Sequence, residues 1–171
     1  MHPVDQDFDL WFRATLPRVR RAARRIVGDG AEADDIAAEA FARALVRWST
    51  VRDLPHRDAW VSRVATNLAL DVVRSRSRRE RILLLQRAAE TVGDGTDASA
   101  ERMALALALG RLPRRQREVI ALRYLVGLPE AEVAAVLGVS SNTVKTHLSR
   151  ALSALRDRLG SSWGEEAAGA H

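Results

Sequence analysis

Seven side chains within ten positions hold the clearest chemistry of this chain: Ser141, Asn142, Thr143, Lys145, Thr146, Ser149 and Arg150. Short hydroxyl and amide groups followed by cations are what base edges flanked by phosphates require of a protein surface. If the stretch is helical, the dipole at its N-terminus also favours phosphate. A second group, RSRSRRER at residues 74–81, places five arginines in eight positions. It reads as a sequence-independent, salt-sensitive phosphate clamp. Other chemistries are poorly served. The chain has no cysteine, which excludes disulfides, thiolate zinc sites, iron–sulfur clusters and a cysteine nucleophile. Two of its four histidines, His2 and His171, lie at the ends, and neither His56 nor His147 has a partner at metal-ligand spacing. No P-loop or G-x-G-x-x-G run occurs. No catalytic residue, metal, cofactor or small-molecule substrate is therefore expected.

The elements that must position the first group are legible around it. Residues 128–159, LPEAEVAAVLGVSSNTVKTHLSRALSALRDRL, predict a helix of roughly nine residues, a turn at Gly138-Val139-Ser140 and a longer helix over 141–159. That is the helix-turn-helix plan. Val133, Ala134 and Leu137 are expected to pack on a stripe of Val144, Leu148, Leu152 and Leu155, with Val139 closing the turn and Ser140 as N-cap. A plain αα-hairpin could share this spacing. It would not call for an alanine-lined first helix, a tight glycine turn and a polar exposed face together.

Upstream, apolar periodicity predicts a helix over 7–27, with Leu10, Leu16, Val19, Ala23, Ile26 and Val27 inward and Arg13, Arg20, Arg21 and Arg24 towards solvent. Pro17 argues for a kink or break in it. A second helix is expected from Ala31 to Trp48, with Ile36, Ala40, Phe41, Ala44, Leu45 and Trp48 as its apolar stripe and acids in its first turns. STVRDLPHR, residues 49–57, reads as a loop punctuated by Pro55. A third helix follows from Asp58 to Ser77, with Trp60, Val64, Leu68 and Val72 on one face and Arg63, Asn67, Leu70 and Arg74 on another. TVGDGTDA, residues 91–98, reads as a linker, and helices are expected over 99–110, 113–125, 129–137 and 141–159. The fold expected is all-α: two small helical domains, residues 1–82 and 99–160, joined by a flexible linker at 83–98 and followed by a disordered tail at 161–171.

Composition agrees with a helical chain. Among 171 residues there are 29 alanines, and the 27 basic residues exceed the 22 acids for a formal charge of +5. Residues 51–90 carry nine basic residues against five acids, and residues 111–159 nine against four, whereas residues 1–50 are balanced. Two basic blocks fit two nucleic-acid-facing units, or equally a set of solvated helix faces. The N-terminus lacks a signal-peptide pattern and no apolar run approaches a membrane span, so a cytoplasmic protein without membrane insertion is expected.

Taken together, LPRRQREVIALRYLVGLPEAEVAAVLGVSSNTVKTHLSRALSALR, the upstream AEADDIAAEAFARAL and AWVSRVATNLALDVVRSRSRR resemble bacterial sigma factors of the sigma-70 family, and more narrowly its extracytoplasmic-function group. That group has two domains, regions 2 and 4, and the resemblance covers roughly residues 7–82 and 99–159. It implies a factor that binds the RNA polymerase core and directs promoter-specific initiation, leaving the chemistry to polymerase. AEADDIAAEAF at residues 31–41 matches the region 2 helix that docks on the β′ clamp helices, which implies polymerase contacts at Asp34, Asp35 and Glu39, with Phe41 in the core. The family commonly has glutamine where this chain has Ala38.

The resemblance further implies that the segment from Trp48 onward melts and reads the −10 element. Arg63, Asn67, Arg74, Arg78 and Arg79 would hold the non-template strand, with Trp60 and Leu68 in the core and Arg52, Asp53, His56 and Arg57 as loop candidates. Region 4, beginning at LPRRQREV, would contact the β flap and read the −35 element through Ser141, Asn142, Thr143, Lys145, Thr146, Ser149 and Arg150. Thr143 could equally cap the helix. An anti-sigma factor is a further partner that the resemblance implies. The alternative is a stand-alone helix-turn-helix regulator, because SNTVKTHL also occurs in LuxR-type output domains. Such a regulator usually carries a receiver or sensing domain, for which no strand pattern exists upstream.

Overall fold

Alanines set how closely the first helices approach one another. The computed structural model describes residues 3–86 and 97–159; most of the expected linker, the expected tail, His2 and His171 lie outside them. Pro3–Val27 forms α1, Ala31–Val46 α2, Trp48–Val51 the single turn α3 and Arg57–Gln86 the long α4. Ala33, Ala37, Ala40 and Ala44 of α2 are completely buried, and Ile36 and Phe41 flank them. One helix face without bulky side chains lets α2 pack against both α1 and α4. Five aromatic residues close one end of this bundle. Phe8, Trp11, Phe12, Phe41 and Trp48 stack or meet edge-to-face with ring centroids 4.8 to 6.2 Å apart.

Downstream, Asp97–Gly110 forms α5 and Arg114–Ile120 forms α6, which runs on as a π-helical turn over Ala121–Leu125. Glu130–Leu137 is α7 and Ser141–Leu159 is α8. Among the described residues there is no strand, and the fold is all-α, as expected. No described helix is long and apolar enough to cross a membrane.

Several local expectations are corrected. Pro17 does not break α1. It is exposed and removes one backbone donor, while buried Trp11 and Thr15 before it and Val19, Ala22 and Ala23 after it anchor both halves. Leu10 and Leu45, expected in the core, are 69% and 50% exposed, because the aromatic cluster and the alanine face take the interior instead. The expected loop 49–57 shrinks to a turn between α3 and α4. On α4 the fully buried positions are Val61, Ala65, Ala69, Leu70 and Val73. Trp60, Val64, Leu68 and Val72 are only half-buried. The helix packs on α1 and α2 on one side and on α5 and the π-helical turn on another, so its small side chains sit at the close contacts and its large ones at the rim. The stripe of α8 also divides. Val144 and Leu148 pack in the helix-turn-helix core, whereas Leu152 and Leu155 join the main cluster with Leu109 and Ile120.

Candidate nucleic-acid interface

The turn between α7 and α8 is made by the residues expected to make it. Gly138 takes a left-handed conformation, φ 64°, which only glycine adopts without a steric penalty. The N–H of Val139 then donates to Ala134 O at 3.0 Å, closing α7. Ser140 caps α8: its Oγ accepts the Thr143 N–H at 3.1 Å and lies 2.9 Å from Thr143 Oγ1. Thr143 is thus tied into the cap and half-buried. Ser140→Ala is expected to lower stability by about 1 kcal/mol, read as a shifted urea midpoint with unchanged slope.

With Val144 completely buried against Val133, Ala134, Leu137, Leu122 and Leu128, the rotation of α8 is set. Ser141, Asn142, Lys145, Thr146, Ser149 and Arg150 are all exposed, and their spacings of three and four place them on one face. Thr146 Oγ1 donates to the Asn142 carbonyl at 3.0 Å, which orients its methyl and hydroxyl. Lys145 Nζ lies 4.0 Å from Glu130 Oε1 of α7, a surface pair weak enough to yield to a phosphate. His147 is half-buried and its Nδ1 is shielded without a partner.

The candidates on α4 divide into two sets. Arg78 and Arg79 are exposed, and so is Arg74, 3.5 Å from Asp71. Arg63 and Asn67 are half-buried and line a cleft of about 430 Å³, together with Trp60, Asp71, Arg43 and Arg117. Arg63 donates to the Val136 carbonyl at 3.1 Å. Burial holds its guanidinium below the usual arginine range, with a lesser opposing contribution from the Glu118 carboxylate. Sequence reasoning missed the α6 contribution to this cleft. Arg114 and Arg115 hold the fully buried carboxylate of Glu118 at 3.2 and 3.1 Å, and Arg117 donates to Gly110 O at 3.2 Å. The density of arginine in LPRRQREV was the available signal; the direction in which it points was not.

At the α3–α4 turn, the indole N–H of Trp11 donates to Asp58 at 2.5 Å. The guanidinium of Arg57 lies 5.8 Å from the ring centroids of both Trp11 and Trp48. A cavity of about 700 Å³ opens beside them, lined in part by Arg52, His56 and Arg57. Asp53 is exposed at the tip of the turn.

The three acids of α2 do not act alike. Asp35 and Glu39 are exposed, and Glu39 pairs with Arg43 one turn away at 2.8 Å. Asp34 faces α1, where Arg20 grips both its oxygens at 2.6 Å and Arg24 lies 3.7 Å away. The Arg20 hydrogen bonds hold its carboxyl below the usual carboxylate range. Beside Asp35 and Glu39 the helix also exposes Ala38, Ala42 and Val46, the last of them 85% exposed. The outer face of α2 is therefore acidic and apolar in alternation.

Comparison with known proteins gives a consistent set of likenesses. The family description "Sigma-70 region 2" matches residues 11–79, and "Sigma-70, region 4" matches residues 102–155. The chain is 35% identical over 153 residues to an RNA polymerase sigma-E factor of Streptomyces coelicolor, covering 90% of this chain and 86% of that one. It is 33% identical to the ECF RNA polymerase sigma factor SigL of Mycobacterium tuberculosis, over 80% of this chain and 79% of the relative. To the ECF sigma factor SigW of Bacillus subtilis it is 31% identical, over 83% of each. Among solved structures it resembles CnrH in complex with the cytosolic domain of CnrY, with a TM-score of 0.57 and 27% identity over 89% of this chain and 86% of that one. The fold is also that of the sigma factor RpoE bound to the anti-sigma factor NepR from Bartonella quintana, with a TM-score of 0.55 and 21% identity over 91% of this chain and 98% of that one.

Proposed function

Because the chain belongs to the extracytoplasmic-function group of the sigma-70 family, we infer that it binds the RNA polymerase core and directs promoter-specific initiation in the cytoplasm. One observation carries this reading: matches to regions 2 and 4 occur in order on one chain. The region 2 match over residues 11–79 has no place in a stand-alone helix-turn-helix regulator, which weighs against that alternative. Members of this family are initiation factors. The phosphodiester chemistry belongs to polymerase, and the factor supplies placement.

Its residues divide the work. Asp35 and Glu39, on the outer face of α2, are the acids assigned to the β′ clamp helices; Asp34, locked to Arg20, supports that helix from behind. Arg63, Asn67, Arg74, Arg78 and Arg79 of α4 are assigned to the −10 non-template strand, the arginines to phosphates and Asn67 to a base edge or sugar. Ser141, Asn142, Lys145, Thr146, Ser149 and Arg150 are assigned to the −35 element in the major groove, with Thr143 holding the helix cap. The β flap is the partner assigned to the rest of region 4. Two readers that bind weakly alone gain affinity when polymerase holds them at promoter spacing, through effective concentration. An anti-sigma factor is a proposed further partner, in keeping with the solved relative bound to NepR.

Run-off transcription with purified sigma-free core on fragmented genomic DNA of the host tests the reading. Discrete transcripts that depend on this protein and share two upstream motifs are expected. Absence of transcripts, together with no comigration with core, would return the weight to a stand-alone regulator.

A further inference from the structure

The face of α4 assigned to the −10 strand does not look into solvent; it looks at α5, α6 and α7. Four contacts define the arrangement. Ala59, in the first turn of α4, is 3% exposed and belongs to the apolar cluster of the helix-turn-helix, among Val119, Leu128 and Val133. Arg63 donates to the carbonyl of Val136, in the last turn of α7, where helical carbonyls lack intrahelical partners and a cation is favoured. Gly110, at the end of α5, lies against Arg74 so closely that a Cβ there would stand 2.8 Å from Arg74 Cγ. On the α1 side, Arg25 donates to Leu125 O of the π-helical turn at 2.6 Å.

These contacts join two separately matched units, regions 2 and 4. Their apolar residues are continuous: Val61, Leu70 and Val73 of α4 share one buried cluster with Ala106, Leu109 and Leu112 of the downstream unit. A single strand laid along Arg63, Asn67 and Arg74 would have to occupy the space that α6 and α7 fill. By contrast, the outer face of α2 and the polar face of α8 are both exposed in the same arrangement.

We propose that region 4 docks on the −10 face of region 2 in the free protein, so that the factor is closed to single-stranded DNA until polymerase separates its two units. The proposal rests on the assignment of α4 to the −10 strand. Polymerase can engage the closed form, since Asp35 and Glu39 remain open to it, and the −35 face needs no uncovering. The apparent affinity of free protein for the −10 strand is then its intrinsic affinity reduced by the fraction of molecules that are open. Polymerase binding raises that fraction.

The chain has no cysteine, which makes a direct test available. In the double variant Arg74→Cys, Gly110→Cys the new thiols lie within disulfide reach, because a Cβ at Gly110 would meet Arg74 Cγ, the atom whose place sulfur takes. The full-length variant is oxidised mildly and then reduced. Each form is titrated with a fluorescent single-stranded oligonucleotide carrying the −10 motif from run-off mapping. The expected result is ready intramolecular crosslinking, binding at least fivefold weaker in the oxidised form, and recovery on reduction. A second variant, Gly110→Leu, wedges the contact from the region 4 side. It is expected to enlarge the radius of gyration in small-angle scattering and to bind the oligonucleotide at least fivefold more tightly than the natural chain, with helicity unchanged by circular dichroism. Failure of the disulfide to form, or equal binding by oxidised and reduced protein, overturns the proposal even if Gly110→Leu misfolds. The underlying assignment is read separately, from Asn67→Ala in the holoenzyme. If −10 dependence survives that change, the assignment falls, whatever the crosslink shows about closure.

Discussion

Asp35→Arg combined with Glu39→Arg is expected to weaken binding to core polymerase at least a hundredfold while leaving the helical fold intact. Both side chains are exposed and four residues apart on α2, so reversing them changes one face without touching the core. Arginine is as good a helix former as glutamate. The intramolecular loss is the Glu39–Arg43 pair, half-exposed on both sides and worth only about 0.3–0.5 kcal/mol. Opposite-sign charges placed against a basic partner surface become like charges, which costs several kcal/mol. A loss of about 3 kcal/mol corresponds to a factor of more than a hundred. Fluorescence anisotropy of labelled protein against purified core measures it. Undiminished binding would mean that another surface meets polymerase. Asp34→Asn provides the contrast: its carboxylate faces Arg20 and Arg24, so its loss should change core affinity far less than the double reversal does.

Replacing Lys145 and Arg150 by alanine is expected to reduce transcription from promoters with a −35 element ten- to a hundredfold, with core binding within twofold of the natural chain. Both are exposed on the α8 face, and Lys145 gives up only the 4.0 Å contact with Glu130. A base-edge contact is worth about 1–3 kcal/mol of discrimination, whereas a lost phosphate contact weakens binding for every sequence and lowers the salt slope by about one. Promoter binding at several salt concentrations therefore separates the two roles. If the slope falls by about two and sequence preference is kept, both residues serve phosphates; a smaller change with relaxed preference assigns one of them to a base. An equal fall in core binding would show that this face belongs to polymerase.

What could be read from the residues alone is what repeats along one helix. The downstream helices lie where periodicity, Pro113, Pro129 and Gly138 place them, with ends at Gly110, Leu137 and Leu159, because caps and turn residues act within a few positions of themselves. The −35 face of α8 was legible for the same reason: it follows from one buried valine, Val144, and a period of 3.6 residues. The class of chemistry was legible too, since arginine-rich blocks and the missing cysteine are matters of composition.

Pairings between distant segments were not legible. That Asp34 turns inward depends on Arg20 arriving from another helix. That Leu10 and Leu45 stay exposed depends on five aromatic rings collected from α1, α2 and α3. That Arg63 and Asn67 face a cleft depends on α6 and α7 being laid across α4, between units whose relative placement no local period encodes. Periodicity states which side chains share a face. Only the packing of helices far apart in the chain decides whether that face meets solvent, a partner or the rest of the same molecule, because burial is gained by the whole arrangement rather than by any one helix.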